Sequence, residues 1–135
     1  MEALPHKPPM RLVDEIVEVR GGEHAVGRRR TVPTDFFFQG HFPGQPIVPA
    51  VMLIELIAQV GGVAVAVPGD GQTARALQLR VAAISGFKFP AAAGAGALLE
   101  ADARVTGRMG SLYKIEGTVT ADGVIVASGS VTLAG

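Results

Sequence analysis

The chain has 135 residues, of which 48% are hydrophobic and 18% charged, so it can form a buried core and is not a disordered segment. Twelve basic residues balance twelve acidic ones. Because nucleic-acid-binding proteins normally carry a basic excess, we expect no nucleic-acid partner. The absence of cysteine excludes disulfide scaffolds, thiol catalysis and cysteine-ligated zinc. We expect a single domain spanning residues 1–135.

The first predicted elements are two strands joined by a short turn. Residues 12–19 and 24–32 favour strands, and Gly21-Gly22 lies between them. Residues 34–49 are rich in proline and glycine and predict an ordered loop. The residues before the first strand include Glu2 and three prolines and lack the apolar run of a secretory signal, so we expect a cytoplasmic protein.

A helix is predicted over residues 50–66. Pro49 suits its first turn, and the helix should end before Pro68. Residues 49–67 are almost long enough to span a membrane, which takes about 20 apolar residues. Glu55 would then lie deep in the bilayer, at a cost of about 2.5–3.5 kcal/mol. We therefore expect no membrane association and a helix surrounded by protein.

Four strands are predicted after the helix, at residues 75–84, 97–107, 111–120 and 124–133. Asp122-Gly123 between the last two predicts a type I′ hairpin turn. Two strands, one apolar helix and four strands favour an α+β hot-dog fold, in which a curled antiparallel sheet wraps one long central helix. A generic α+β sandwich with the same elements is the alternative.

Two side chains in this pattern can carry acid–base chemistry, His41 in the loop and Glu55 on the apolar helix. An imidazole can accept a proton near pH 7, and a protonated carboxyl group can donate one. Such a pair on opposite sides of a small substrate needs no metal. The alternatives are a structural or exposed His41, and a buried Glu55 bonded to Gln59 or to the backbone.

The start of the helix adds a third element. The backbone N–H groups of Ala50 and Val51 have no acceptor within the helix, and the helix dipole makes this end positive. Negative charge developing on a carbonyl oxygen would be stabilised here. Alternatively, these groups bind only water or a loop carbonyl.

In these residues the sequence resembles the 3-hydroxyacyl-[acyl-carrier-protein] dehydratases of fatty-acid synthesis, the FabZ/FabA type. The resemblance begins at Leu4-Pro5-His6 and extends through Leu12-Val13-Asp14. It resumes at Phe37, and its most specific part is the block 41–59, with 14 positions from His41 to Glu55. The matching residues of this block are His41-Phe42-Pro43-Gly44, Pro46, Pro49, Glu55, Ala58 and Gln59.

The resemblance implies a hot-dog homodimer, or a larger assembly of dimers, with each active site at the dimer interface. By position, His41 would abstract the C2 proton of a 3-hydroxyacyl thioester, and Glu55 would protonate the departing C3 hydroxyl. The thioester carbonyl would bind the N–H of Ala50. The substrate would be carried by the phosphopantetheine of an acyl carrier protein. Substrate contacts are expected from Gly44, Ala50, Val51, Phe38 and Gln59.

The sequence departs from the family pattern at two relevant places. Ala50 replaces a usual glycine, which keeps the N–H but adds a methyl group beside the thioester. Phe89 follows Lys88 where the family has a second basic residue, so one cation is lost where a carrier protein would dock. These changes motivate one alternative, a non-catalytic subunit that binds acyl thioesters or their carrier. A hot-dog acyl thioesterase is a second alternative.

Two further clusters have a functional and a structural interpretation. Phe36-Phe37-Phe38 would line an acyl tunnel, or simply pack in the core. Arg28 and Arg30 would share one face of a strand and Arg29 the other, as an anion-binding patch or a solvated face. No cysteine and no His-x-His spacing accompany them, so we expect no metal, and no phosphate loop indicates a nucleotide cofactor.

Overall fold

The computed structural model of the protein describes residues 11–38, 46–67 and 79–135. In these ranges the chain forms six strands, one α-helix and one 3-10 helix. In chain order the elements are β1 Glu15–Arg20, β2 His24–Arg30, the 3-10 helix Phe36–Phe38, α1 Ala50–Ala66, β3 Arg80–Lys88, β4 Leu98–Met109, β5 Leu112–Ala121 and β6 Val124–Ala134.

The six strands form one antiparallel sheet in the order β1-β2-β4-β5-β6-β3. Helix α1 packs against one face of this sheet and contacts β1, β2, β4, β5 and β6. The opposite face of the sheet carries most of the charged side chains, including the ion pair of Arg28 with Glu100. The architecture is the predicted one, a central helix covered by an antiparallel sheet.

Helix α1 has the predicted bounds, and the prolines on either side explain them. Pro49 precedes the first helical residue with φ −59°, an angle compatible with helix entry. Val67 is extended, at φ −83° and ψ 119°, as expected for a residue that precedes a proline. Eleven of the 17 helical residues are buried. Within the described ranges, no helix has the length and hydropathy required to cross a membrane.

Glycines at the helix–sheet contact allow the close packing. A Cβ atom placed on Gly61 of α1 would lie 2.9 Å from Cγ2 of Ile115 on β5. Gly117, two residues along β5, leaves space that the Ile57 side chain fills from the helix side. Both isoleucines are completely buried. The missing side chains therefore let two large aliphatic groups interlock between helix and sheet.

Two strands, β1 and β3, begin three or more residues after their predicted start. The first strand begins at Glu15 rather than at residue 12, because Leu12 and Val13 are already turned into the core. The strand predicted at 75–84 is β3, Arg80–Lys88, and residues 75–78 lie outside the described ranges. The strand also continues past the predicted end at residue 84, because Gly86 adopts φ +65° within an irregular register and pairing with β6 resumes at Lys88.

The predicted hairpin at Asp122-Gly123 is confirmed. Both residues have positive φ, 49° and 86°, as a type I′ turn requires. The Asp122 side chain also accepts a hydrogen bond from the Leu98 N–H at 3.1 Å, and the Asp122 N–H donates to the Leu98 carbonyl at 3.0 Å. This turn therefore ties the start of β4 to the β5–β6 hairpin.

The adjacent helical glycines provide a test of this packing. Gly62→Ala should raise the free energy of unfolding by about 0.5–1 kcal/mol, because its Cβ has room, 4.0 Å from Leu79 Cδ1, and alanine favours the helix. Gly61→Ala should be less stable than Gly62→Ala by about 1–3 kcal/mol, because Ile115 must move. Urea denaturation of both variants measures the difference, and equal stabilities would contradict the interlocked packing.

Candidate active site

Glu55 lies on the second turn of α1, in a half-buried position on an otherwise apolar helix. Gln59 follows one turn later on the same face of the helix and is only 1% exposed. Its Nε2 donates a hydrogen bond to Oε1 of Glu55 at 3.2 Å. The hydrogen bond to Gln59 that the sequence suggested is therefore present, at a carboxyl group that is half-buried, and it restrains the group that a reaction would use.

The orientation of the Gln59 amide is determined by a second hydrogen bond. Its Oε1 accepts the backbone N–H of Leu12 at 2.8 Å in a buried position. A backbone N–H can only donate, so the amide oxygen must face Leu12 and the NH₂ group must face Glu55. Oε1 of Glu55 is thereby occupied as an acceptor.

The first turn of α1 presents backbone donors near this acid. Met52 N–H donates to the Pro49 carbonyl at 2.9 Å, and no side chain in the described part of the chain caps the helix. The N–H groups of Ala50 and Val51 precede this bond and have no acceptor within the helix. Both residues are exposed, Val51 by 62%. With a rise of about 1.5 Å per residue, Glu55 lies about 7.5 Å further along the axis than Ala50.

A second polar cluster, which no sequence pattern predicts, lies on the other side of Leu12 and is formed by Arg29 and Asp35. Arg29 donates through NH1 to the Leu12 carbonyl at 2.9 Å and through NH2 to Asp35 at 2.7 Å. Strand alternation correctly placed Arg29 on the face opposite Arg28. Only tertiary structure identified the partners, because Leu12 is 17 positions away and contributes main-chain atoms that no side-chain pattern reveals.

The aromatic cluster is mainly structural. Phe37 and Phe38 belong to the hydrophobic core, at 6% and 7% exposure, whereas Phe36 is half-exposed at 39%. The rings contact one another in sequence, with centroids 5.3 Å and 4.9 Å apart. Core packing is thus observed for Phe37 and Phe38. A role for Phe38 in substrate binding stays a prediction.

Two predicted site residues, His41 and Gly44, lie outside the described residues. The structure therefore brings together Glu55, Gln59 and the N-terminus of α1, and the pairing of His41 with Glu55 stays a prediction. No group of three or more metal-ligating side chains occurs in the ranges that the structure describes.

The basic run at residues 28–30 does not form a free anion-binding patch. Arg28 Nε lies 2.8 Å from a Glu100 carboxylate oxygen, so its charge is balanced. Arg30 is exposed and donates to the Gly96 carbonyl at 3.0 Å. Arg29 points to the opposite face of the sheet, where it bonds the Leu12 carbonyl and Asp35. The solvated-face interpretation therefore fits Arg28 and Arg30, and Arg29 serves an internal contact.

Comparison with known proteins identifies the family. The FabA-like domain family matches residues 4–130. The 3-hydroxyacyl-[acyl-carrier-protein] dehydratase FabZ of Bacillus velezensis is 33% identical over 133 residues, which is 98% of this chain and 92% of that protein. The protein of the same name from Thermomicrobium roseum is 36% identical over 133 residues, covering 98% of this chain and 87% of its own length. The chain belongs to the FabZ/FabA dehydratase family.

Solved structures agree on the fold. The dehydratase heterocomplex ApeI:P from Xenorhabdus doucetiae superimposes with a TM-score of 0.80 at 18% identity, over 98% of this chain and 88% of that one. A hypothetical thioesterase from Streptococcus pneumoniae, solved with coenzyme A, gives a TM-score of 0.66 at 14% identity, over 89% and 83%. The hot-dog fold is therefore shared by proteins named for different reactions, and the family assignment depends on the sequence relatives.

Gln59 and Thr31 are the two fully buried polar side chains among the described residues, and together they allow a controlled test. Gln59→Leu should lower the free energy of unfolding by about 1–3 kcal/mol, because it leaves the buried Leu12 N–H unpaired. Thr31→Val should cost less, about 0.5–1.5 kcal/mol, because the Gly94 and Ala97 carbonyls, 3.0 and 3.1 Å from Thr31 Oγ1, also accept backbone N–H groups.

The two variants should differ in activity, because the Gln59 side chain bonds Glu55, whereas the Thr31 hydroxyl bonds main-chain carbonyls. Denaturation measures the stability loss of each, and turnover of a 3-hydroxyacyl thioester is measured below the unfolding range. A lower kcat in Gln59→Leu with a wild-type kcat in Thr31→Val is expected. Equal kcat values in both variants would show that Gln59 has no role beyond stability.

Proposed function

We propose that this protein catalyses the reversible elimination of water from a (3R)-3-hydroxyacyl thioester, giving the trans-2-enoyl thioester. The observation that carries this proposal is Glu55, a half-buried carboxyl group on an apolar helix whose Oε1 is held by Gln59. The hydrogen bond from Gln59 restrains this carboxyl group, and a carboxyl group held in one position can act as a proton donor. Relatives named for this reaction match almost the whole chain and support the assignment.

In the proposed mechanism, the thioester carbonyl accepts a hydrogen bond from the Ala50 N–H at the positive end of α1. His41 removes the C2 proton, and the electron pair of that C–H bond forms the C2–C3 double bond. The C3–O bond breaks, and the hydroxyl group leaves as water with a proton supplied by the Glu55 carboxyl group. Stabilisation of the developing enolate oxygen by the helix N-terminus lowers the barrier to proton removal.

The substrate is proposed to be presented on the phosphopantetheine of an acyl carrier protein, in the cytoplasm. Relatives of this chain bear the carrier protein in their names, which supports this partner. Gly44, Val51 and Phe38 are proposed to contact the acyl thioester together with Ala50. The methyl group of Ala50, where the family has glycine, narrows the space beside the thioester.

A homodimer is proposed to complete the site, with β3 as the interface strand. β3 lies at one edge of the sheet and pairs with β6 on one side. It is exposed over nearly its whole length, although Val81 and Ile84 are apolar and 40% and 53% exposed. An exposed apolar edge strand normally invites pairing with another chain. A second copy paired along β3 would cover it and extend the sheet.

The catalytic assignment is tested with His41→Ala and Glu55→Gln. Each should lower the rate of crotonyl thioester hydration by about 10²–10⁴-fold, because each removes one proton-transfer group. Enoyl absorbance follows the reaction, and circular dichroism controls for folding. Near-wild-type activity in either variant would refute the assigned role. Release of free thiol by the wild type, without change in enoyl absorbance, would favour a thioesterase instead.

Mixing the two inactive variants tests whether the site is shared between subunits. If His41 of one protomer acts with Glu55 of its partner, a mixed dimer contains one fully native site and one doubly altered site. With random exchange in a twofold-symmetric dimer, activity should recover to about a quarter of the wild-type value. If both residues act within one protomer, every site carries one altered residue and no recovery occurs.

The dimer interface is tested with Ile84→Glu on β3. Two carboxylates in an apolar interface should dissociate the dimer, and light scattering should then report the 13.9 kDa protomer. Ile125→Glu is the matched control, because Ile125 is also about half exposed, at 49%, but lies on β6 next to the Asp122-Gly123 turn. A dimeric Ile84→Glu protein, or a monomeric Ile125→Glu protein, would argue against the β3 interface.

A further inference from the structure

Arg29 and Asp35 form an ion pair inside the protein, beneath the segment that precedes β1. Their side chains are 13% and 11% exposed, and NH2 of Arg29 lies 2.7 Å from Oδ1 of Asp35. The guanidinium group also lies over the Phe37 ring, 5.3 Å from its centroid. Because so little of either side chain is exposed, water competes weakly for the two charges. The hydrogen bond between them therefore keeps the guanidinium and the carboxylate in one relative orientation.

The pair is embedded in further hydrogen bonds that restrict Asp35. Oδ2 of Asp35 accepts the Val32 N–H at 2.8 Å, and the Asp35 carbonyl accepts the Phe38 N–H at 3.1 Å. The Asp35 N–H donates to the Val32 carbonyl at 3.0 Å. Asp35 is therefore restrained by three hydrogen bonds, and its carboxylate holds the Arg29 guanidinium group in one orientation.

Leu12 connects this ion pair to the candidate acid. Its carbonyl accepts NH1 of Arg29 at 2.9 Å, and its N–H donates to Oε1 of Gln59 at 2.8 Å. Gln59 in turn donates to Oε1 of Glu55 at 3.2 Å. A continuous series of hydrogen bonds thus runs from Asp35 through Arg29, the Leu12 main chain and Gln59 to Glu55.

We infer that Arg29, supported by Asp35, is a positioning residue for Glu55 that acts through Leu12 and Gln59. This inference rests on the proposed function, since it assigns Glu55 the proton transfer. Arg29 is separated from Glu55 by two other residues and contacts no reacting atom in this scheme. Its role is to hold the Leu12 main chain where it keeps the Gln59 amide turned towards Glu55. Misplacement of a catalytic group by about 1 Å is enough to slow a reaction by about 10²-fold.

Arg29→Lys is the informative substitution, because it keeps the charge but removes the planar fork that reaches Asp35 and Leu12 together. We expect kcat for crotonyl thioester hydration to fall by about tenfold or more, with KM within about twofold of wild type. Arg28→Lys is the matched control on the same strand, because its Glu100 partner lies on the outer face. It should leave kcat unchanged.

A double-mutant cycle tests the route of the effect. If Arg29 acts through Gln59, then Arg29→Lys should change kcat by less than about twofold when Gln59 is already leucine. Independent effects that multiply in the double variant would overturn the inference. An unchanged kcat in Arg29→Lys, or a loss that appears only in KM, would also overturn it.

Asp35→Asn keeps the inference testable if Arg29→Lys does not fold. It preserves side-chain size while removing the charge that holds the guanidinium, so kcat should fall in the same way, with circular dichroism confirming the fold. The wild-type protein is measured in the same assay. An inactive wild type would refute the proposed function, whereas an active wild type with unaffected Arg29→Lys and Asp35→Asn variants would refute only the positioning role.

Discussion

Helix α1 carries only two polar side chains, Glu55 and Gln59, along 17 residues, and it is stable in water only where other structure covers it. The rest of the architecture follows from that requirement. One antiparallel sheet supplies the cover, with contacts from five of its strands, and glycines at Gly61 and Gly117 let Ile115 and Ile57 interlock across the boundary. A bulkier residue at either glycine would hold the helix away from the sheet.

The same burial determines how the two polar side chains behave. A polar group without a partner is costly in a low-dielectric interior, so Gln59 is bonded on both sides, to Leu12 and to Glu55. The hydrogen bond from the Gln59 amide to Glu55 also orients the Glu55 carboxyl group. The interactions that stabilise this part of the core are thus the ones that would orient Glu55 for proton transfer.

The fold by itself does not determine the reaction. Proteins named as a dehydratase and as a thioesterase share this architecture with the chain at less than 20% identity. The family is instead shown by relatives that are 33–36% identical over nearly the full length of this chain, which place it in the FabZ/FabA dehydratase family.

The elements with strong local signals could be predicted from the sequence. Proline on both sides marked the ends of α1, and Asp122-Gly123 marked the last hairpin, because proline and glycine restrict or extend backbone angles regardless of context. The extent of β3 could not be predicted, since Gly86 is compatible with either a turn or a bulge, and only pairing with β6 decides between them.

The candidate site, like the fold, could be predicted from the sequence only in part. The residue types and their spacing indicated Glu55 and Gln59, and strand alternation placed Arg29 on the face opposite Arg28 and Arg30, because these are properties of local periodicity. The sequence could not show that Leu12 joins Arg29 to Gln59 through its main chain, 17 and 47 positions away. Main-chain N–H and C=O groups are the same at every non-proline residue, so only the tertiary structure decides which of them meet a buried side chain.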